Sequence, residues 1–146
     1  MGNYFGTFKR TLDEKHRLQV PTKLVREMPA RFYSIRGHEG CLAIFDEAEF
    51  NSFLNGLKTE SYLDRETRAY IRQVTASTNV LDVDSHGRIS IPASLAETYG
   101  LGNEVTIIGA LDHFEIFGEE AFQKAFTANE DKYDDLAQAV SDRKER

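Results

Sequence analysis

The chain states one segment twice. Residues 12–24 read LDEKHRLQVPTKL and residues 83–95 read VDSHGRISIPASL. Asp13/Asp84, Arg17/Arg88, Leu18/Ile89, Val20/Ile91, Pro21/Pro92 and Leu24/Leu95 match at a constant offset of 71. After a one-residue slip, GHEGCLAIF (37–45) aligns with GALDHFEIF (109–117), and Phe50 with Phe122, at an offset of 72. An internal repeat constrains architecture before any local pattern does. Two copies are too few for a solenoid. They suit a pseudo-dimer, in which two related halves close one core around a pseudo-twofold axis.

Length and composition set the frame. A chain of 146 residues suits one compact domain with a real core. No stretch approaches the ~20 apolar residues of a membrane span. The N-terminus lacks a charged region followed by an apolar run. Gly6 stands where an acylation signal beginning at Met1-Gly2 would need Ser or Thr. The single cysteine, Cys41, rules out an intramolecular disulfide framework and fits a reducing cytoplasm. It opens a strand-like run, so it reads as a small buried hydrophobe rather than a nucleophile. The net charge is −6, yet residues 1–36 hold eight Lys or Arg against three Asp or Glu. That asymmetry suits a chain with one end facing a polyanion.

Local patterns give the elements. Residues 17–20 and 88–91 alternate polar and apolar, the period of a half-buried strand. Pro21 and Pro92 end these runs because proline has no N–H for a ladder. Strands are expected before them over 6–12 and 79–83, with turns over 13–16 and 84–87. Asp13 and Asp84 open the turns, where an Asp carboxylate can accept N–H groups two residues on. Gly87 precedes Arg88 where a tight turn demands positive φ. The first copy has His16 there, one of the few non-glycine residues that tolerates it. Short helices are expected over 22–28 and 93–98, the second ending at Gly100 as C′ residue. Longer helices are expected over 46–57, 64–77 and 119–133. A hairpin is expected from 105–109 and 114–117. The charged segment from 129 onward has weak periodicity and is expected to fray.

The chemistry concentrates at the repeats. Arg17 and Arg88 each follow a turn on the polar side of a strand. A guanidinium is a planar fork of donors suited to phosphate or to the O6/N7 edge of guanine. The other reading of each is an internal ion pair to Asp13 or Asp84. Lys15, Arg10 and Arg26 add positive charge to the first copy, while His86, Leu81 and Glu97 occupy the matching places in the second. The first half should therefore be the stronger nucleic-acid binder. His16, His38, His86 and His113 lack the spacing of a zinc site. Ser85-His86 beside Asp84 is too local for a triad, whose members converge from separate places in the chain. No phosphate-cradling glycine loop occurs. No catalytic residue, metal or cofactor is expected.

TLDEKHRLQVP and DVDSHGRISIP, each a D-x-x-x-R followed by apolar-polar-apolar-Pro, resemble the MraZ family of bacterial transcriptional regulators. Phe5-Gly6-Thr7, Gly100-Leu101 and IIGALDHFEIF also fit, so the resemblance covers residues 5–126. The departure is His16, where the family usually has glycine. The resemblance implies an α+β fold, a β-barrel of two pseudo-symmetric AbrB-like (swapped-hairpin) halves flanked by helices. It implies one domain of two repeats, 5–57 and 78–126, joined by a helical segment 58–77 and followed by a charged tail 127–146. It further implies a ring-shaped homo-oligomer in the cytoplasm, associated with the nucleoid. That ring would bind double-stranded promoter DNA at short tandem repeats ahead of the division and cell-wall gene cluster. The family ties its D-x-x-x-R arginines to DNA, which carries over to Arg17 and Arg88. No membrane and no small-molecule substrate are implied. A protein-docking or assembly module without specific DNA binding is the other class the sequence leaves open, and an enzyme is the weakest.

Overall fold

The computed structural model describes residues 3–144. Met1 and Gly2, weighed above for acylation, and the last two residues of the charged tail lie outside them. The first half contains β1 (Thr7–Thr11), β2 (Arg17–Gln19), β3 (Arg31–Arg36), β4 (Leu42–Phe45), α1 (Glu47–Lys58) and α2 (Arg65–Ala76). The second contains β5 (Asn79–Asp82), β6 (Arg88–Ser90), α3 (Ala93–Thr98), β7 (Glu104–Gly109), β8 (Phe114–Phe117) and α4 (Glu119–Ala125). A 3-10 turn (Thr127–Lys132) and α5 (Tyr133–Lys144) follow.

The topology carries the repeat into space. Six strands form one antiparallel sheet in the order β1-β7-β8-β4-β3-β5. Exchange each strand for its repeat partner and the same order is read backwards. The two halves are strand-swapped: β1 pairs with β7 of the second half, and β5 pairs with β3 of the first. The pseudo-dyad passes through the β4–β8 pair, where Ala43 faces Glu115 and Leu42 and Ile44 face Ile116 and Phe114. It passes again through a separate ribbon of β2 and β6, where Leu18 faces Ile89.

The expected barrel does not close among the described residues. β1 and β5 are the free edges of the six-stranded sheet. Each joins the ribbon through its own turn, with bonds from Asp13 N to Arg17 O (3.1 Å) and from Asp84 N to Arg88 O (2.9 Å), and a one-pair bridge of Val83 with Ile89 on the second side. Each ribbon strand is three residues long. Pro21 and Pro92 stop both, so neither can carry a full ladder on two edges.

Both faces of the sheet are covered, which is why β4 is apolar throughout. Leu42 and Ile44 join Leu18, Ile89, Phe32, Ile107, Phe114 and Ile116 in the main core, beneath the ribbon. Ala43 and Phe45 face the other way and pack with Phe50 of α1 and Val74 of α2. Asp46 caps α1 through the Glu49 N–H, and Asp64 caps α2 through the Thr67 N–H.

The local expectations fail in instructive places. Segment 22–28 makes a single turn, with Leu24 N and Val25 N donating to Pro21 O (3.0 and 3.2 Å), and no helix. Pro29 keeps Met28 from helical backbone, and the seven residues between the two prolines leave no room to propagate. The second copy has ASLAET there and does form α3, ending at Gly100 with φ +64°. β3 is a strand for which the local patterns above give no expectation, although it is the repeat partner of β7. The helix expected over 119–133 breaks at Phe126, where the Asn129 side-chain amide donates to Ala125 O (2.7 Å). The tail from Tyr133 is helical through Lys144. Asp134 and Asp135 in its first turn, and Arg143 and Lys144 in its last, complement the helix dipole.

Candidate nucleic-acid interface

The ribbon is a two-faced element. Leu18 and Ile89 point inward with no exposed surface. Arg17, Gln19, Arg88 and Ser90 therefore share the outward face. Arg17 lies opposite Ser90 and Gln19 opposite Arg88. The two arginines thus stand on one diagonal of one face, where such neighbours are about 7–8 Å apart.

The turns hold each arginine in the same way. Asp13 Oδ1 accepts the N–H groups of Lys15 (2.9 Å) and Arg17 (2.8 Å), and Asp13 Oδ2 accepts from Arg17 Nε (2.6 Å). Asp84 Oδ1 accepts from the backbone of His86 (2.8 Å) and Arg88 (2.9 Å), and Asp84 Oδ2 from Arg88 Nε (2.9 Å). His16 and Gly87 occupy the left-handed corner at φ +59° and +76°. D-x-x-x-R is therefore one mechanical unit: the aspartate folds the turn and grips the side of the guanidinium. The ion pair that the sequence left as one alternative is present in both copies. It engages only Nε. Among the described residues, the Nη atoms of neither guanidinium have a hydrogen-bond or ion-pair partner, so the outer edge of each fork is open.

These bonds set the carboxylates. The N–H of Arg17 is the main force holding Asp13 below the usual carboxylate range, against a smaller opposing effect of desolvation. The N–H of Arg88 does the same for Asp84. A depressed folded-state pKa means that the turns are favoured above the unfolded value of about 3.9. That contribution is lost as pH falls through the still lower folded values. Carboxyl carbon NMR shifts of Asp13 and Asp84 should thus titrate below the ordinary aspartate value. A midpoint at the ordinary value in either would remove the proposed grip.

The remaining basic candidates divide. Lys15 is exposed in the first turn and lines a shallow cleft with Asp13, Glu14, Arg17 and Asn103. His86 is its counterpart in the second turn, with Nδ1 3.4 Å from Ser85 Oγ. Arg10 sits on β1 opposite Val105; its guanidinium lies 5.6 Å from the Phe8 ring centre and donates to Lys9 O (2.8 Å). Arg26 lines a different cleft, with Phe5, Lys23, Glu27 and Asp46. One residue that sequence reading missed is Gln19. Its amide donates to His86 O (2.9 Å) and Gly87 O (3.2 Å), latching β2 to the second turn. Its repeat counterpart, Ser90, is too short to do this for the first turn.

The other reactive groups are placed for structure. Burial pushes the Cys41 thiol up to about 12, so it stays protonated. His113 is held between Asp112 (2.7 Å) and Glu115 (3.0 Å) and stacks on Phe45. Among the described residues, no three His, Cys, Asp or Glu side chains converge to hold a metal. No described helix is long and apolar enough to cross a membrane.

Comparison with known proteins gives a consistent answer. The family model "MraZ protein, putative antitoxin-like" matches the chain twice, over residues 4–73 and 75–144. A transcriptional regulator MraZ of Mycoplasmoides gallisepticum is 32% identical over 95% of this chain and 98% of its own. One from Corynebacterium urealyticum is 35% identical over 87% of this chain and 89% of its own. One from Ligilactobacillus salivarius is 29% identical over 95% and 97%.

Proposed function

This chain belongs to the MraZ family, and on that premise we propose that it regulates transcription by gripping promoter DNA with its β2–β6 ribbon. The observation that carries the reading is the pair of open guanidinium edges. Arg17 and Arg88 share one polar face, each oriented by its own aspartate. Such forks suit phosphates and guanine edges. Lys15 extends the positive face at the first turn, and His86 occupies the matching place at the second. Arg10 and Arg26 stand off the ribbon and contribute mainly to the local potential.

A single ribbon presents few charges on an acidic protein, so one contact should be weak. We propose that copies of the chain form a closed ring and that tandem promoter boxes engage several ribbons together. Avidity then supplies the affinity that one protomer lacks. The resemblance to the family points to boxes ahead of the division and cell-wall gene cluster, and to an assembly on the nucleoid.

A titration with DNA from upstream of the gene, carrying one, two or three copies of a short direct repeat, tests this. Binding should strengthen sharply with repeat number and weaken with salt. The slope of log K against log salt should be about 0.9 per neutralised phosphate. No binding by folded protein at low salt would leave a docking module in place of a DNA reader.

A further inference from the structure

The two repeats part company after the ribbon proline, and a cleft lies where they do. The turn after Pro21 lacks the helix that its copy forms as α3. In the second half the chain leaving α3 closes on Gly118, where an added Cβ would collide with Gly100 O. In the first half Asp46 stands in the place of Gly118, at the offset of 72. Beside it remains a cleft of about 540 Å³. That is the size of a small-molecule site.

The lining combines three kinds of group. Lys23 and Arg26 come from the turn and are exposed. Among the described residues, neither side chain has a hydrogen-bond or ion-pair partner. Their counterparts in α3 are Ser94 and Glu97, so this pair of cations belongs to the first copy. Phe5 lines the same cleft and is 73% exposed. Its backbone is fixed on both sides. Tyr4 exchanges two backbone hydrogen bonds with Leu111 (2.7 and 2.9 Å), and Gly6 O accepts from Gly109 N (2.9 Å). The third kind is acidic. Asp46 accepts from the hydroxyl of the buried Tyr4, and Glu27 stands exposed next to Arg26.

These groups select a ligand by chemistry. Two unpaired cations suit a phosphate. A fixed, exposed aromatic face suits a flat ring, because every base has a π-face to stack. Carboxylate oxygens accept from hydroxyl or amino groups. The same carboxylates repel a continuous run of phosphates. The cleft therefore favours a ligand with its negative charge at one end over a nucleic-acid backbone. We propose that it binds a nucleoside 5′-monophosphate, with the phosphate on Lys23 and Arg26, the base on Phe5, and the sugar hydroxyls toward Asp46 and Glu27. This goes beyond the DNA reading and does not depend on it, since none of these residues belongs to the β2–β6 ribbon.

Isothermal titration of the full chain with adenosine, guanosine, cytidine and uridine 5′-monophosphates, and with inorganic phosphate, tests it. At least one nucleotide should bind about tenfold or more tightly than inorganic phosphate. Lys23→Gln with Arg26→Gln should weaken that nucleotide by about tenfold or more. Phe5→Ala should remove its advantage over inorganic phosphate. All three side chains are exposed, so thermal unfolding of these variants should match the parent. Arg17→Ala with Arg88→Ala should bind the nucleotide as the parent does, and a short DNA duplex should not displace it from that protein. No nucleotide binding by the folded parent, parent-like binding by the Lys23/Arg26 variant, or loss of binding in the Arg17/Arg88 variant overturns the proposal. Displacement by the duplex would make the cleft a contact for DNA phosphates and overturn it as well.

Discussion

Replacing Arg17 and Arg88 together by alanine will remove promoter binding and leave the fold in place. An arginine that reads a base contributes about 1–3 kcal/mol. Two should lower affinity by roughly 30-fold to 10⁴-fold per engaged protomer, at ~1.4 kcal/mol per tenfold. The fold survives because each turn is closed by backbone donors. Lys15 N and Arg17 N hold Asp13, and His86 N and Arg88 N hold Asp84, whatever the side chain at 17 or 88. The lost ion pairs are solvent-facing and contribute little. The single variants should not be equal. The first turn sets the Lys15 ammonium beside Arg17, whereas the second has the imidazole of His86 at the matching place. Arg17→Ala should therefore cost more at a site engaged by the first turn. Arg17→Lys should fail to restore binding, because an ammonium cannot reproduce the fork. Titration of DNA against each variant, with thermal unfolding alongside, checks the set. Parent-like affinity of the folded double variant would remove the ribbon from DNA recognition.

How much of this was legible in the chain depends on the range of the interaction. The repeat, the two turns and the four short strands around them rest on alternation, proline and aspartate, all local signals. The caps of α1 and α2 at Asp46 and Asp64 were equally local. The exchange of β1 and β5 between halves depends on which surface each strand meets, and no local pattern encodes it. The barrel expectation failed for a related reason: three-residue strands ended by prolines cannot carry ladders on both edges. Arg26 shows how sequence proximity misleads. It is nine residues from Arg17 yet lines another cleft, because the turn after Pro21 redirects the chain. Gln19 was overlooked because its role is to reach His86 O, 67 residues away. Its only local mark was a polar position in an alternating strand.

The second large effect concerns the core beneath the arginines. Leu18→Ala and Ile89→Ala should each destabilise the fold by about 2–5 kcal/mol. Both side chains are fully buried, and they face each other across the pseudo-dyad. Each truncation removes apolar contacts and opens a cavity in the cluster that includes Phe32, Ile44 and Phe114. A domain of ordinary stability, about 5–15 kcal/mol, would lose a large share of it. The double variant should depart from additivity, because the two residues share one site and one cavity. The same cavity loosens the strands that carry Arg17 and Arg88, so DNA affinity should fall even under conditions where the variants remain folded. Urea unfolding should show a lower midpoint with the slope unchanged for each single variant. A loss below ~1 kcal/mol in both would mean that the ribbon is a surface flap. The arginines would then owe their placement to the turns alone, not to the core beneath them.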